Sequence, residues 1–183
     1  RGSGPEPFPR PRFVAALREV GKAALPAIGE HLSRIDPEGD EANSEAGAAF
    51  AEDLLRALPD APDDALGRVV ARFLRHLTPA VRRAAATGLP GLLGPRARPS
   101  LMHALDDVDE GVRAAAFAGM RLIHGVDEAV VARVDQVLNG GAPASDELRA
   151  GAAGALAEVT ESARGAAIEV LTRTLRPKPR SVL

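Results

Sequence analysis

The spacing of apolar residues along this chain predicts helices rather than strands. In one recurring pattern, an apolar residue is followed by small residues three and four positions later and by large aliphatic residues eight and eleven positions later. These offsets lie on one face of a helix. No convincing run alternates apolar and polar residues as a half-buried strand does. The pattern has three clear copies and one degenerate copy: Val81, Ala84, Ala85, Leu89, Leu92; Val112, Ala115, Ala116, Met120, Ile123; Leu148, Gly151, Ala152, Leu156, Val159; and Gly47, Phe50, Ala51, Leu55, Leu58.

Polar residues at the predicted helix starts support the same boundaries. A residue of the N-cap type stands three positions before each copy, where its side-chain oxygen can accept a hydrogen bond from an unpaired backbone N–H. In one case a proline follows at the first helical position. Proline is well tolerated there, because an N–H at that position would have no acceptor within the helix. Each of these residues therefore predicts the N-terminus of a helix. The four N-cap residues are Ser44, Thr78, Asp109 and Ser145.

A second helix is predicted after each of the first helices. When these segments are aligned on their last leucine, aliphatic residues recur at positions −7, −4 and 0, which again share a helical face. Only Arg98 breaks this register. The alignment predicts second helices near residues 23–34, 63–77, 96–106, 127–139 and 163–175. The aligned residues are Leu25, Ile28, Leu32; Val70, Phe73, Leu77; Arg98, Leu101, Leu105; Val131, Val134, Leu138; and Ile168, Leu171, Leu175.

Composition favours an all-α fold and limits the chemistry. Hydrophobic residues make up 45% of the 183 residues, but aromatics only 3%, so the core must consist of small and aliphatic side chains, as helix packing allows. The absence of cysteine excludes disulfides, thiolate metal sites and cysteine nucleophiles. No apolar run approaches the roughly 20 residues that cross a bilayer, and no signal-peptide pattern opens the chain. We therefore expect a cytoplasmic protein without a membrane partner, and the use of Arg over Lys favours a bacterial source.

The boundaries of the helical region follow from the same patterns. Residues 1–10 are interpreted as a tag remnant or proline-rich linker, residues 11–176 as the helical domain, and residues 177–183 as a basic tail. Corresponding leucines or methionines of successive copies recur at intervals of about 35 residues, as in repeat proteins.

These repeats resemble a known family. Residues 81–86 and 109–116 are similar to the HEAT repeat, particularly the phycobilisome-lyase-like subtype found in bacteria. The resemblance implies a right-handed α-α superhelix, or solenoid, of about five two-helix repeats, whose second helices line the concave side. It also implies that an arginine after the opening aliphatic residue forms a structural ladder by pairing with acids at repeat boundaries. A row of phosphate-binding arginines is the alternative interpretation. The ladder residues are Arg82, Arg113 and Arg149.

The outward positions of the second helices carry mostly basic residues. If these helices line the concave face, that face is basic although the chain has a formal net charge of −2. A protein partner with an acidic surface is the hypothesis that follows, and a merely solvated charged face is its rival. The predicted contact residues are Arg68, Arg72, Arg75, Arg96, His103, Arg133 and Arg173.

No motif in the sequence indicates catalysis or a cofactor. His31 and His76 share a register position, and His103 lies one residue away from it, but no metal-binding spacing accompanies them, so we expect packing or surface histidines. The sequence predicts a non-catalytic interaction scaffold or adaptor domain that binds no metal. This domain is part of a larger protein or stands alone, and the sequence does not predict its oligomeric state. Alternatives implied by the resemblance are a bilin-lyase-like enzyme or chaperone subunit and a nucleic-acid-binding protein. The shortage of aromatic stacking residues disfavours both.

Overall fold

The computed structural model describes residues 10–176, with side chains described from Val14 onward. The linker predicted at residues 1–10 falls outside this part of the chain except for Arg10, and so does the basic tail predicted at residues 177–183. Two compact units divide the chain, Arg1–Ala97 and Arg98–Leu183, here called the N-terminal and C-terminal units. The regular structure is helical throughout residues 10–176, where the only β-type pairing is an isolated bridge between Val126 and Val159. The predicted all-α class is confirmed for these residues.

In the N-terminal unit, first helices pack against each other and second helices pack against both first and second helices. Helices α4 and α6, which carry copies of the first pattern, pack against each other, while α5 packs against both α6 and α2. Short 3-10 helices at Gly21–Ala24, Phe73–Arg75 and Gly94–Ala97 complete the unit. Its α-helices are α1 (Arg10–Val20), α2 (Leu25–Arg34), α3 (Asp40–Asn43), α4 (Glu45–Arg56), α5 (Asp64–Arg72) and α6 (Pro79–Leu93).

The C-terminal unit repeats this alternation of helices. Helices α8 and α10 form its most extensive contact, and α9 packs against α10 and α11. Short 3-10 helices at Leu156–Glu158 and Glu161–Ala163 separate α10 from α11. The segments predicted as second helices contain α2, α5, α7, α9 and α11. The α-helices of this unit are α7 (Arg98–Ala104), α8 (Glu110–Leu122), α9 (Glu128–Asn139), α10 (Asp146–Ala155) and α11 (Arg164–Leu175).

Side-chain caps fix where several of these helices begin. Ser44, Asp109 and Ser145 accept hydrogen bonds from the third residue after each of them, at 3.1, 3.0 and 3.3 Å respectively. Thr78 occupies the N-cap position of α6, but its side chain makes no capping bond. Two further side-chain caps were not predicted. Asp63 caps the second helix α5, and Asp127 caps the second helix α9.

Several large apolar residues predicted to be buried are exposed instead. Leu77 is 72% exposed because α5 ends at Arg72 and the following 3-10 turn changes the register, so that His76 is buried. Phe50 is 41% exposed since α4 packs through Ala51, Leu54 and other small or aliphatic residues.

The register predicted for α11 is also wrong. Its buried residues are Ala167 and Val170, not the larger aliphatic residues that were aligned with those of the other second helices. The reason is geometric: α11 packs on α9 through its small side chains, and the large ones lie on an adjacent face. The exposed residues are Ile168, Leu171 and Leu175.

Candidate interaction surface

Four of the seven predicted contact residues form ion pairs within their own unit. In each pair the acid belongs to a preceding segment of the chain, close to one repeat earlier. Such pairing reduces the positive charge that the arginines present to a partner. The pairs are Arg75 with Glu38 at 3.8 Å, Arg96 with Asp64, Arg133 with Asp106 at 2.9 Å, and Arg173 with Asp135 at 2.8 Å.

Two hydrogen bonds join Arg133 to Asp106, as two also join Arg96 to Asp64. The Nε and Nη2 atoms of Arg133 donate to Oδ1 and Oδ2 of Asp106, both at 2.9 Å, in a bidentate arrangement. The hydrogen bond from Arg133 lowers the pKa of Asp106, and the same bond raises the pKa of Arg133. Arg133 is therefore committed to a contact between α9 and the turn that follows α7, and reversing its charge would disturb the fold as well as any binding.

Arg98, the exception in the second-helix pattern, also has an acidic partner. Its guanidinium pairs with Asp127, and the same carboxylate caps α9 by accepting the N–H of Val130 at 3.2 Å. The arginine thus holds the start of the next second helix where an aliphatic residue was expected.

Two predicted contact residues on α5 differ from the four paired arginines. Arg68 and Arg72 lie one helical turn apart, both are exposed, and neither forms an ion pair with any residue that the structure describes. His103, on α7, is exposed as well. Arg68 and Arg72 therefore form a small cationic site on α5, which we call the α5 arginine pair.

The predicted ladder arginines contact mainly backbone carbonyls. Arg82 donates from Nη1 to His76 and Leu77, both at 2.9 Å, and Arg113 donates from Nη1 to Asp107 and Val108 at 2.8 and 3.2 Å. In the third copy, the Nε of Arg149 donates to Ala144 at 3.2 Å. Each arginine thus holds the turn that precedes its own helix. This geometry supports the structural interpretation over a phosphate-binding row.

One acid, Glu110, links the ladder position of α8 to the start of α10 in the C-terminal unit. Glu110 lies 3.4 Å from Arg113 and also accepts the backbone N–H of Ser145 at 2.8 Å. Hydrogen bonding to Ser145 lowers the pKa of Glu110. The first turn of α8 is thereby joined to the start of α10.

Two of the three histidines considered as metal ligands have separate structural contacts, and the third, His103, is exposed. His76 is buried and hydrogen-bonded to backbone, whereas exposed His31 makes an edge-to-face contact with Phe50 at 6.0 Å between ring centroids. Over the described residues, no cluster of three potential metal-ligating side chains occurs.

A crevice of about 470 Å³ lies beside His31, between α2, α3 and α4. Ile35 and Phe50 contribute its apolar part. The charged residues of its lining are three acids and one arginine: Asp36, Asp40, Glu41 and Arg34. Its acidic edge makes it unsuited to an acidic partner, so it is chemically distinct from the α5 arginine pair.

The sequence predicted the arginines but missed their acidic partners. The paired residues are 27, 32 and 38 positions apart in the three closest pairs, which is near the repeat interval. A search for opposite charges separated by about one repeat would have found them.

No protein-family model matches this chain, and no curated protein matches it either. None of the helices between residues 10 and 176 has the length and apolar character needed to span a membrane.

Proposed function

We propose that this chain is a non-catalytic protein-interaction domain that binds an acidic segment of a partner protein through the α5 arginine pair. The observation that carries the proposal is that Arg68 and Arg72 are exposed without an ion pair among the described residues, while four other predicted contact arginines are paired. Unpaired cations attract a partner without first breaking an internal bond.

The spacing of the pair suggests the form of the acidic segment. Side chains one turn apart on a helix are separated by about 5–6 Å at Cβ. Carboxylates four residues apart on a partner helix have the same separation, so both arginines can be engaged at once. We propose an acidic helix as the partner element, and binding that weakens as salt screens the charges.

We also propose a repeat architecture for the helices of this chain. We interpret the two-helix units as HEAT-like repeats of a cytoplasmic, bacterial protein, supported by the recurring pattern, by the caps and by the ladder arginines. Their arrangement in a right-handed superhelix remains what the resemblance implies.

A fluorescence-anisotropy titration tests the binding proposal directly. The probe is a fluorescein-labelled alanine-based helical peptide with glutamates four residues apart, and the matched probe carries lysines at the same positions. The protein variant is Arg68→Glu combined with Arg72→Glu. We expect it to bind the acidic peptide at least about tenfold more weakly, since two exposed pairs of up to about 1 kcal/mol each are lost.

The control variant makes the same charge change elsewhere. Lys22→Glu combined with Arg121→Glu alters two exposed cations that are outside the α5 arginine pair. It should keep most of the affinity for the acidic peptide. Equal loss in both variants, or equal binding of the lysine peptide by the wild type, would refute recognition by the α5 arginine pair.

A further inference from the structure

Asn139, the last residue of α9, stands directly before Gly140. Asparagine followed by glycine is prone to deamidation, in which the backbone nitrogen of the second residue attacks the side-chain amide of the first. Glycine permits this approach because it has no side chain and a flexible backbone. The only other asparagine of the chain, Asn43, precedes Ser44 and lacks this advantage. Asn139 is therefore the first side chain to consider for spontaneous chemical modification.

In the folded chain, Asn139 joins α9 to α11. Its Nδ2 atom donates to Oδ1 of Asp135 at 2.8 Å and, more weakly, to the carbonyl oxygen of Val170 at 3.4 Å. Its Oδ1 atom lies 3.2 Å from the hydroxyl group of Thr174. Arg173 donates to the other carboxylate oxygen of Asp135 at 2.8 Å. The amide nitrogen that deamidation removes is thus the donor that connects the two helices.

The same contacts oppose the reaction while the fold is closed. The backbone N–H of Gly140 donates to the carbonyl oxygen of Gln136 at 3.1 Å, so a base cannot remove its proton until this bond opens. The leaving nitrogen of Asn139 is likewise held by its two acceptors. Helix α11 buries only Ala167 and Val170. A segment with so few buried apolar contacts separates locally at a low cost in free energy, and this opening exposes the reacting groups.

The chain and water account for every bond change in the reaction. After a base in the solvent takes the proton of the Gly140 nitrogen, this nitrogen bonds to Cγ of Asn139, and the bond between Cγ and Nδ2 breaks. Nδ2 takes up a proton and leaves as ammonia, so that a cyclic imide remains. Water then adds to one of the two carbonyl carbons derived from Asn139, giving aspartate or isoaspartate. The net change is one water consumed and one ammonia released, with no oxidant or cofactor.

The product cannot re-form the link between α9 and α11. A carboxylate at position 139 donates no hydrogen bond, and it places a second negative charge beside that of Asp135, where like charges repel. It also adds a negative charge to the C-terminal end of α9, where the helix dipole is already negative. Isoaspartate in addition lengthens the main chain by one carbon. Deamidation therefore favours the open form over the closed one.

We propose that Asn139 is a deamidation site gated by the contact between α9 and α11, and that the reaction releases α11 from the end of α9. The folded chain protects the amide, and each local opening gives the reaction an opportunity that its product makes permanent. The site lies in the C-terminal unit and the α5 arginine pair in the N-terminal unit, so the two proposals can fail independently.

The rates of deamidation in folded and unfolded protein are the first test. The whole chain is incubated in mildly alkaline buffer with and without urea, and its peptides are analysed by mass spectrometry for the gain of about 1 Da that loss of an amide brings. An isoaspartyl methyltransferase assay identifies the isoaspartate product. We expect Asn139 to react at least about tenfold more slowly in the folded protein than in urea, because only the open form reacts.

Asn43 is the internal control of this experiment. In urea both asparagines are exposed, and Asn139 should react faster because glycine follows it. Equal rates at Asn139 with and without urea overturn the proposed protection by the fold. An Asn139 that reacts no faster than Asn43 in urea overturns the proposed site.

Variants that loosen α11 test whether its contact with α9 is the gate. Val170→Ala removes buried packing, and Arg173→Ala removes only the ion pair with Asp135. Each should accelerate deamidation of the folded protein by at least about threefold. Ile168→Ala is the matched control on the same helix, because Ile168 is 64% exposed, and it should react at the wild-type rate.

Circular dichroism verifies that these variants are folded, and Arg173→Ala supplies the result if the loss of buried packing in Val170→Ala prevents folding. Folded variants that react no faster than Ile168→Ala show that the contact between α9 and α11 is not the gate, and they overturn the proposal.

The effect of the product is measured with Asn139→Asp. This variant should melt about 3–6 °C below wild type, since it loses the link to α11 and gains repulsion from Asp135. Gln136→Glu makes the same amide-to-carboxylate change at an exposed position of α9, and it should melt within about 1 °C of wild type. Equal melting temperatures for the two variants would contradict the release of α11 by deamidation.

Discussion

His76 donates through Nε2 to the carbonyl oxygen of Ala42 at 3.0 Å, although the two residues are 34 positions apart. Its Nδ1 accepts the backbone N–H of Thr78 at 3.0 Å, so Nε2 carries the proton and the ring is neutral. Because the side chain is only 1% exposed, both hydrogen bonds lie inside the fold. One imidazole therefore joins α3 to the turn between α5 and α6.

Removing this ring should destabilise the protein substantially. His76→Ala leaves a buried carbonyl and a partly buried N–H without partners and opens a cavity, so we expect a loss of about 2–4 kcal/mol in the free energy of unfolding. Urea unfolding followed by circular dichroism measures the change. His103→Ala, at an exposed position, serves as the control and should stay within about 0.5 kcal/mol of wild type. Similar effects of the two variants would contradict the role assigned to His76.

Acidification should weaken the same link. Burial lowers the pKa of His76, the hydrogen bond to Ala42 opposes this shift, and the positive charge of Arg82 lowers the pKa further. In the unfolded chain the ring titrates near the usual value of about 6.5. As pH falls, the unfolded state therefore binds the proton first. The stabilisation by neutral His76 is fully present above about 6.5 and is lost as pH falls from there toward the lower folded-state pKa.

The measurement compares urea unfolding at about pH 7.5 and about pH 5.5. Wild type should lose more stability on acidification than His76→Gln, whose side chain does not titrate. The other histidines are unchanged in this variant, so the difference between the two proteins isolates His76. Parallel pH dependence in both would show that His76 is not the titrating group.

The contribution of Asp127 can be divided into its cap and its charge. Asp127→Ala removes the cap of α9 and leaves Arg98 without its acid, and we expect a loss of about 1–2 kcal/mol. Asp127→Asn keeps an N-cap oxygen and removes only the charge. Because the ion pair is partly exposed, the asparagine variant should lose less than about 1 kcal/mol, again by urea unfolding. Equal losses would mean that the ion pair, not the cap, is the stabilising feature.

The features of the fold that the sequence could predict are those that depend on residues near one another in the chain. The caps at Ser44, Asp109 and Ser145 and the buried face of α6 depend on residues within a few turns, and the structure has them where the pattern placed them. In α8 the pattern is confirmed except at Ala115, which is only half-buried. The face that α11 buries depends instead on which helix packs beside it. Periodicity alone therefore gave the helix but not the side on which it is covered.

The candidate site shows the same division between local and tertiary information. The exposed basic positions of α5 follow from the helical register, so Arg68 and Arg72 could be named from sequence. Whether an arginine is already paired depends on an acid about one repeat earlier, as with Arg133 and Asp106. Long side chains reach such partners only after the helices have packed, and this tertiary step pairs four of the predicted contact arginines with acids of the same unit.

The close approach of α8 and α10 gives a prediction that uses two glycines of one helix. A Cβ atom added at Gly151 would lie 3.2 Å from the carbonyl oxygen and 3.3 Å from the Cα of Ala114, whereas one added at Gly154 would meet nothing within 4 Å. Alanine favours a helix over glycine by about 1 kcal/mol. Gly154→Ala should therefore stabilise the protein by about 0.5–1 kcal/mol.

At Gly151 the same gain is offset by contact with the backbone of α8. Gly151→Ala should not stabilise the protein, and Gly151→Leu should destabilise it by about 1–3 kcal/mol because the two helices must move apart. Thermal unfolding of the three variants tests this order. A gain for Gly151→Ala equal to that for Gly154→Ala would show that α8 and α10 have room for a larger residue. The small residues of the first pattern would then reflect helix propensity rather than the distance between neighbouring helices.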